Sequence, residues 1–469
     1  MCLAAFSART HAQSLPADTA HRTHHAPAAA QAAAPPARAQ VSVQAVAQGA
    51  RTNAAYGGAA RAEGALTQPV LMAHAPLAAG RVRLTATLDF EGLTLGRGQL
   101  NPGIYGEGFV DRRHPHTFAH ELVASAGARV PGLPGVDASL SAGKGFVAFG
   151  TDDPMGRPFS LFPVNHHLAQ ILERYVATAG VHAARAGLGE ALVEASVFNG
   201  DEPAGPWRWP RARRFGDAWA LRATLHPRLG RLTDGLTDRR TAAVVPGPLE
   251  LSVSAARVPS PENPFGAGLD QHKSSLAARW ARGASLGTAG LGGRGRGSYA
   301  LVEWARTDEL RGSRRAFRYE SVLAEGAVRR RGVEFGGRWE RTTRPEEERL
   351  ADPFRTVRPH NEFNVLGLTE WRTTTASLGV PVRAGAVRAL PFVELARAEP
   401  RDVLRPSAFE PRTFYGARVL WTAVVGARLG LGAPHARMGR YGVAADHGSH
   451  SASSHNAGSH GAGDPAAPR

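Results

Sequence analysis

Val82-Arg83-Leu84-Thr85-Ala86-Thr87-Leu88-Asp89-Phe90-Glu91 alternates with period two. Val82, Leu84, Ala86, Leu88 and Phe90 share one side, and Arg83, Thr85, Thr87, Asp89 and Glu91 the other. Successive side chains of an extended strand point to opposite faces, so this stretch is a strand with one apolar and one polar face. The texture returns downstream. Leu249, Leu251, Val253 and Ala255 alternate with Glu250, Ser252 and Ser254; Trp219, Leu221, Ala223 and Leu225 with Arg222, Thr224 and His226. Val333, Phe335 and Trp339 oppose Glu334, Arg338 and Glu340. The longest run puts Tyr415, Ala417, Val419, Trp421, Ala423, Val425, Ala427 and Leu429 on one face, with Arg418, Thr422 and Arg428 on the other.

A soluble sandwich also alternates, so strand length separates the two architectures. Soluble strands run mostly to about 5–6 residues, whereas a tilted membrane strand needs about 9–11. The alternating segments are commonly of the longer kind, at 82–91, 118–126, 136–149, 171–183, 190–199, 215–226, 248–257, 272–282, 298–307, 317–329, 332–342, 362–376, 385–398 and 413–431. Fourteen is an even number, as bacterial barrels require, and aromatic residues near segment ends (Phe90, Trp304, Tyr415) suit an interfacial girdle. The expected fold is all-β: a transmembrane antiparallel up-and-down β-barrel of about fourteen strands with disordered N- and C-terminal tails. With 82–91 running outward, the long Pro-rich connections fall on one side and the tight Arg330-Arg331-Gly332 link on the other.

Composition fixes the flanks. Residues 1–13, ending near Thr10-His11-Ala12-Gln13, carry a short apolar piece that resembles the end of a truncated signal peptide. Residues 14–77, rich in Ala, Gln, Pro and His, are expected to be a disordered leader, 78–443 the barrel, and 444–469 a disordered His/Ser/Gly tail. Cys2 is the one cysteine, so no disulfide or thiolate zinc site forms within the chain. No stretch reaches the roughly 20 apolar residues of a spanning helix, so a membrane is crossed by strands or not at all. The net charge of +16 over 469 residues raises nucleic-acid binding as a thought. Lys144 and Lys273 are the only lysines, however, and the arginines alternate with apolar residues instead of forming a run, which disfavours a nucleic-acid partner.

Gly108-Phe109-Val110-Asp111-Arg112-Arg113-His114-Pro115-His116, with Asn165-His166-His167-Leu168, Val176–Val181 and Phe198-Asn199-Gly200-Asp201-Glu202-Pro203, resembles a family of uncharacterised porin-like outer-membrane β-barrels of Gram-negative bacteria. The likeness runs from Arg81 to Met438-Gly439-Arg440-Tyr441, and Asp-Arg-Arg-His-Pro-His is its most specific part. The resemblance implies a barrel in the outer membrane and assigns no substrate or chemistry. The chain departs from the usual pattern in that a His-rich stretch follows Tyr441 where barrels commonly finish on an aromatic residue.

The candidate site residues are of two kinds. His114, His116, His120, His166 and His167 lie in two stretches expected to meet near the outer rim, where imidazoles could share a transition metal with Asp111 or Glu121. The bland alternative is that they hydrogen-bond loop carbonyls. His447, His450, His455 and His460, with His21, His24 and His25, could hold metal loosely or simply be solvated. Arg83, Asp89, Arg222, Glu250, Arg338, Glu340, Arg418 and Arg428 are expected to face the lumen, where opposite charges set bore and ion preference, or else pair and fill the barrel. No nucleophile–base motif is visible, and Gly293-Arg294-Gly295-Arg296-Gly297 lacks the Lys-Ser/Thr of a phosphate loop, so no enzyme is expected. The expected function is a passive porin-like channel with weak anion preference, whose partners are outer-membrane lipid and small solutes or ions. The rivals are a non-conducting barrel that binds metal or a partner through loops and tails and, less favoured, an outer-membrane hydrolase.

Overall fold

The computed structural model describes residues 39–441 except 55, 79–81, 95–116, 152–153, 186–187, 204–206, 228–248, 262–266, 283–297, 348–364, 404–409 and 433–437. Its strands are β1 (Gln40–Thr52), β2 (Arg61–Leu77), β3 (Val82–Asp89), β4 (Ala119–Arg129), β5 (Val136–Gly145), β6 (Arg174–Arg185), β7 (Gly189–Asn199), β8 (Phe215–Pro227), β9 (Leu249–Val258), β10 (Asp270–Arg282), β11 (Ser298–Arg311), β12 (Arg314–Arg330), β13 (Val333–Glu347), β14 (Val365–Gly379), β15 (Val382–Ala384), β16 (Val387–Asp402) and β17 (Leu420–Gly432). Each pairs antiparallel with its neighbour in sequence, and β15 continues β14 past Pro381 against the same partner, β16. The wall therefore has sixteen staves. It closes where β1 pairs with β17, from Ser42 opposite Gly432 to Thr52 opposite Thr422. Closure removes every free edge, which is what lets a sheet exist without water on its backbone.

All fourteen expected strands are present, with two more. β1 and β2 occupy 40–77, the stretch expected to be disordered leader, so the barrel begins at Gln40 and not at residue 78. The signal was weak for physical reasons. Outward Val43, Ala45, Ala47 and Gly49 alternate with inward Gln44 and Gln48, and small residues against glutamines resemble low complexity. In β2 the alternation also slips phase at a bulge, where Gln68 takes φ 51° and the register shifts between Gln44 and Val46. The proposed segments 1–13 and 444–469 and the front of the leader lie outside the described residues.

The last stave is shorter than expected. Pro411–Tyr415 is a single helical turn, capped by the Glu410 carboxylate accepting from the Thr413 N–H and ended at Gly416 with φ 62°. Tyr415 is consequently buried, not part of an outward stripe, and Val419 precedes β17. The links at one end of the barrel are tight among the described residues. Arg331 and Gly332, with φ of 51° and 83°, make the two-residue turn between β12 and β13 that matches strand twist. The strand ends that bound the longer connections, at Asp89 and Ala119, Gly145 and Arg174, Asn199 and Phe215, Val258 and Asp270, Glu347 and Val365, and Asp402 and Leu420, lie at the other end, called here the loop end.

The two faces of the wall differ. Outward positions such as Leu251, Val253, Val302, Leu395 and Val425 are exposed apolar side chains, and Trp304, Trp339 and Trp421 border this band toward the loop end. Inward positions carry buried Thr, Ser, Gln, Glu and Arg beside apolar residues.

Candidate lumen constriction

Of the 28 residues between β5 and β6, those described do not project from the barrel; they fold into it. Phe146, Val147, Phe149, Met155, Phe159, Leu161, Phe162, Val164, Leu168 and Ile171 are all buried. A connection this apolar cannot be left in water, and burying each large side chain contributes about 1.5–3 kcal/mol. It packs against four sectors of the wall. Leu161 and Val164 meet Trp371, Phe392, Leu420 and Val424; Val147, Phe149 and Ile171 meet Phe198, Ala220 and Val258. Phe146, Met155 and Phe162 lie against Val70, Met72 and Val123, and Leu168 and Ala169 against Ala305 and Tyr319.

Irregular backbone inside a barrel must find hydrogen-bond partners in the wall. Carboxylates and hydroxyls of the wall accept its N–H groups. Glu394 accepts from the Ser160 and Leu161 amides at 2.8 and 3.2 Å, Glu340 from Val164 at 2.8 Å, Ser254 from Gly150 at 2.8 Å and Ser196 from Ala148 at 3.2 Å. Wall arginines donate to its carbonyls. Arg338 forks onto the Leu161 oxygen at 2.8 and 2.9 Å, and Arg428 reaches the oxygens of Arg157 and Phe159 at 2.7 and 2.8 Å. Gly150 is required where it stands: its φ is 67°, and a Cβ there would lie 1.7 Å from the Ala169 oxygen. Glu303 gathers side chains, accepting from Asn165 at 2.8 Å and from Thr151, with Arg157 at 3.4 Å.

A second insert meets the first. Met438 and Tyr441 are buried beside Phe146 and Phe162. The Tyr441 phenol donates to Glu121 at 2.7 Å and accepts from the Phe146 amide at 3.0 Å. Burial, and then the Glu121 charge, push this phenol well above its usual range, which keeps it a donor. Gly439 donates its N–H to Glu121 at 3.2 Å and accepts from Arg222 at 3.0 Å. The Arg440 guanidinium lies 3.0 Å from Glu250 and 4.0 Å from Glu194.

Of the lumen-charge residues read from the sequence, Arg222, Glu250, Arg338, Glu340 and Arg428 are buried on inward positions, and each binds one of these two inserts. They do not pair mainly with one another. Arg222 does pair with Glu194 at 2.7 Å, and Arg338 with Glu325 at 3.0 Å while lying 4.3 Å over the Phe159 ring. Asp89 is buried at the end of β3 and accepts from the Glu91 amide at 2.8 Å; Arg83 is half-buried. Arg418 is exposed and precedes β17, because the helical turn displaces the strand start.

Among the histidines, His114 and His116 lie outside the described residues, and His166 and His167 open the turn His166–Ala169. His120 is buried, with Nδ1 2.7 Å from Glu173 and its ring edge-on to Phe146 at 5.0 Å. Glu173 also accepts from the Thr117 amide at 2.5 Å. Glu173 thus ties Thr117 and His120 to the end of the β5–β6 connection. Among the described residues no three His, Cys, Asp or Glu side chains are grouped to hold a metal. Sequence reasoning missed Glu303 and Glu325 as loop anchors, and Arg440 and Tyr441. The available signal was the apolar character of 146–173, which no exposed connection would carry.

No protein-family profile matches the chain, and no curated protein sequence does. Solved structures resemble it in chain path at low identity. An anion-selective porin from Comamonas acidovorans aligns at 11% identity and a TM-score of 0.44 over 84% of this chain and 100% of its own. A high-pH structure of Pseudomonas putida OprB aligns at 9% and 0.45 over 84% and 94%, and Acinetobacter baumannii OccAB2 at 9% and 0.39 over 84% and 98%.

Proposed function

We propose that this chain is an outer-membrane β-barrel that serves as a narrow passive channel for small solutes or ions. The observation that carries this reading is the contrast between an apolar, tryptophan-bordered exterior and a charged interior constricted by a wall-anchored loop. Lipid is then the outer partner, and passage depends on the space left beside the loop.

The placement in lipid has a direct test. In a bilayer, Leu251→Arg on the outward face is expected to destabilise the folded barrel by about 2–4 kcal/mol, whereas Ser252→Arg on the inward face is much milder. Heat-modifiable gel migration across a urea series reads both. Equal damage from the two would overturn the assignment of faces.

Anion preference is the finer expectation, drawn from the arginine excess. That excess does not lie in the wall. Among the described residues, eleven buried carboxylates occupy inward strand positions against eight buried lysines and arginines. Charges lining a low-dielectric wall concentrate counter-ions, so the expected preference is weak and toward cations. Reversal potentials across planar bilayers under a salt gradient measure its sign, and a clear anion preference would restore the sequence-based expectation. A non-conducting barrel is the second reading, favoured by the contacts of the loop with four sectors of the wall. Silence from the full chain and from variants that release the inserts would establish it.

A further inference from the structure

The outer face carries a second pattern just above the tryptophan border, on β11 to β16 toward the loop end. Three carboxylates there are each shared by two or more arginines. Asp308 receives Arg306 at 2.6 Å, Arg318 at 2.7 Å and Arg315 at 3.9 Å. Glu370 receives Arg341 at 2.6 Å and Arg372 at 2.8 Å. Glu399 receives Arg397 and, at 3.5 Å, Arg401. Each group therefore keeps an excess of positive charge, and the guanidiniums remain open, with side-chain exposures of 55% at Arg341, 40% at Arg372 and 43% at Arg397.

The Glu370 and Glu399 groups form a continuous belt, and the Asp308 group extends it onto β11 and β12. Arg341 lies opposite Arg372 across the β13–β14 pair, Arg372 opposite Glu399 and Glu370 opposite Arg401 across β14–β16, and Arg397 opposite Trp421 across β16–β17. Asp308 and Arg318 face each other on β11 and β12. Like charges directly opposite on a sheet are destabilising, and exposed ion pairs contribute little, so stability does not account for Arg341 facing Arg372. Guanidiniums held in fixed orientation by a carboxylate, with donors still pointing outward, suit a tetrahedral oxyanion. Immediately below them the same strands present the apolar band, with Trp304, Trp339 and Trp421 at its border. A ligand that satisfies both layers is anionic at its head and acyl below.

We infer that this arginine belt binds the phosphate groups of phosphorylated lipids in the leaflet at the loop end. The inference rests on the outer-membrane reading for where such lipid would be met, but binding in detergent tests the belt by itself. The full chain, purified in detergent, is titrated with bis-phosphorylated lipid A and with its dephosphorylated form, and bound lipid is counted by native mass spectrometry. Retention of the phosphorylated lipid over the dephosphorylated one is expected. Arg341→Gln with Arg372→Gln, and separately Arg397→Gln with Arg401→Gln, should each weaken it several-fold, while Arg330→Gln at the opposite end leaves it unchanged. Heat-modifiable migration checks that each variant is folded, and the second pair serves if the first does not fold. Equal binding of the two lipids, unchanged binding in both folded double variants, or displacement by inorganic phosphate at matched phosphate concentration would overturn the proposal. A barrel that binds lipid A but fractionates away from the outer membrane would instead remove the location on which the proposed function stands.

Discussion

Replacing Arg440 and Tyr441 together with alanine is expected to raise the conductance of the full chain several-fold. The two side chains hold the second insert in the lumen: Arg440 lies between Glu250 and Glu194, and Tyr441 donates to Glu121 while its ring packs on Phe146 and Phe162. Removing them takes a donor from each of Glu250 and Glu121 beside the emptied space, and these carboxylates draw water and cations into the vacated path. Single-channel recording in planar bilayers reads the change, and heat-modifiable migration shows whether the wall has survived. Unchanged conductance in a folded, conducting variant would mean that ions pass elsewhere.

Arg338→Ala is expected to cost about 3–5 kcal/mol, as breaking a buried pair by removing one partner does. Glu325 would remain buried with less compensation, the Leu161 carbonyl would lose both of its donors from Arg338, and the Phe159 ring would lose the guanidinium over its face. Arg338→Lys should not rescue it, because a single ammonium cannot reproduce a planar fork shared between a carbonyl and a carboxylate. Urea unfolding followed by gel migration measures the loss, and protease cleavage between Gly150 and Val164 reports whether the loop has come free. A loss below about 1 kcal/mol would place Arg338 among the minor contacts, at the level of a surface ion pair.

The wall was legible because lipid enforces a period of two that nothing else blurs. Val82–Asp89 and Leu249–Val258 could be read residue by residue, and the tight Arg331-Gly332 turn with them. The alternation failed where small residues replaced large ones, in β1, and where a bulge shifted the phase, in β2. The interior was less legible for a different reason. Inward positions mix Glu303 with Leu301 and Ala305 because they serve an apolar loop as well as its backbone, so no single chemistry marks them. The inward placement of Arg222, Glu250, Arg338 and Arg428 could be read from parity alone. What they hold could not, since Leu161, Gly439 and Phe159 come to them from distant parts of the chain. Arg418 shows the limit of parity, which counts correctly only when the strand begins where it is thought to.

The seam between β1 and β17 bears on how the barrel is made. The hydroxyls of Thr52 and Thr422 lie 2.8 Å apart across 370 residues of chain, whereas the other main staves are joined to their partners by a single connection. Contacts so distant in sequence form slowly, because the loop-closure entropy is met before any pairing offsets it. The seam is therefore the last ladder to zip, and until it does the sheet has two open edges whose N–H and C=O groups find no partner in hydrocarbon. Insertion and closure must then be one event: a half-inserted sheet is the least favourable species on the route, and the finished barrel, once shut, reopens only by reversing that whole step.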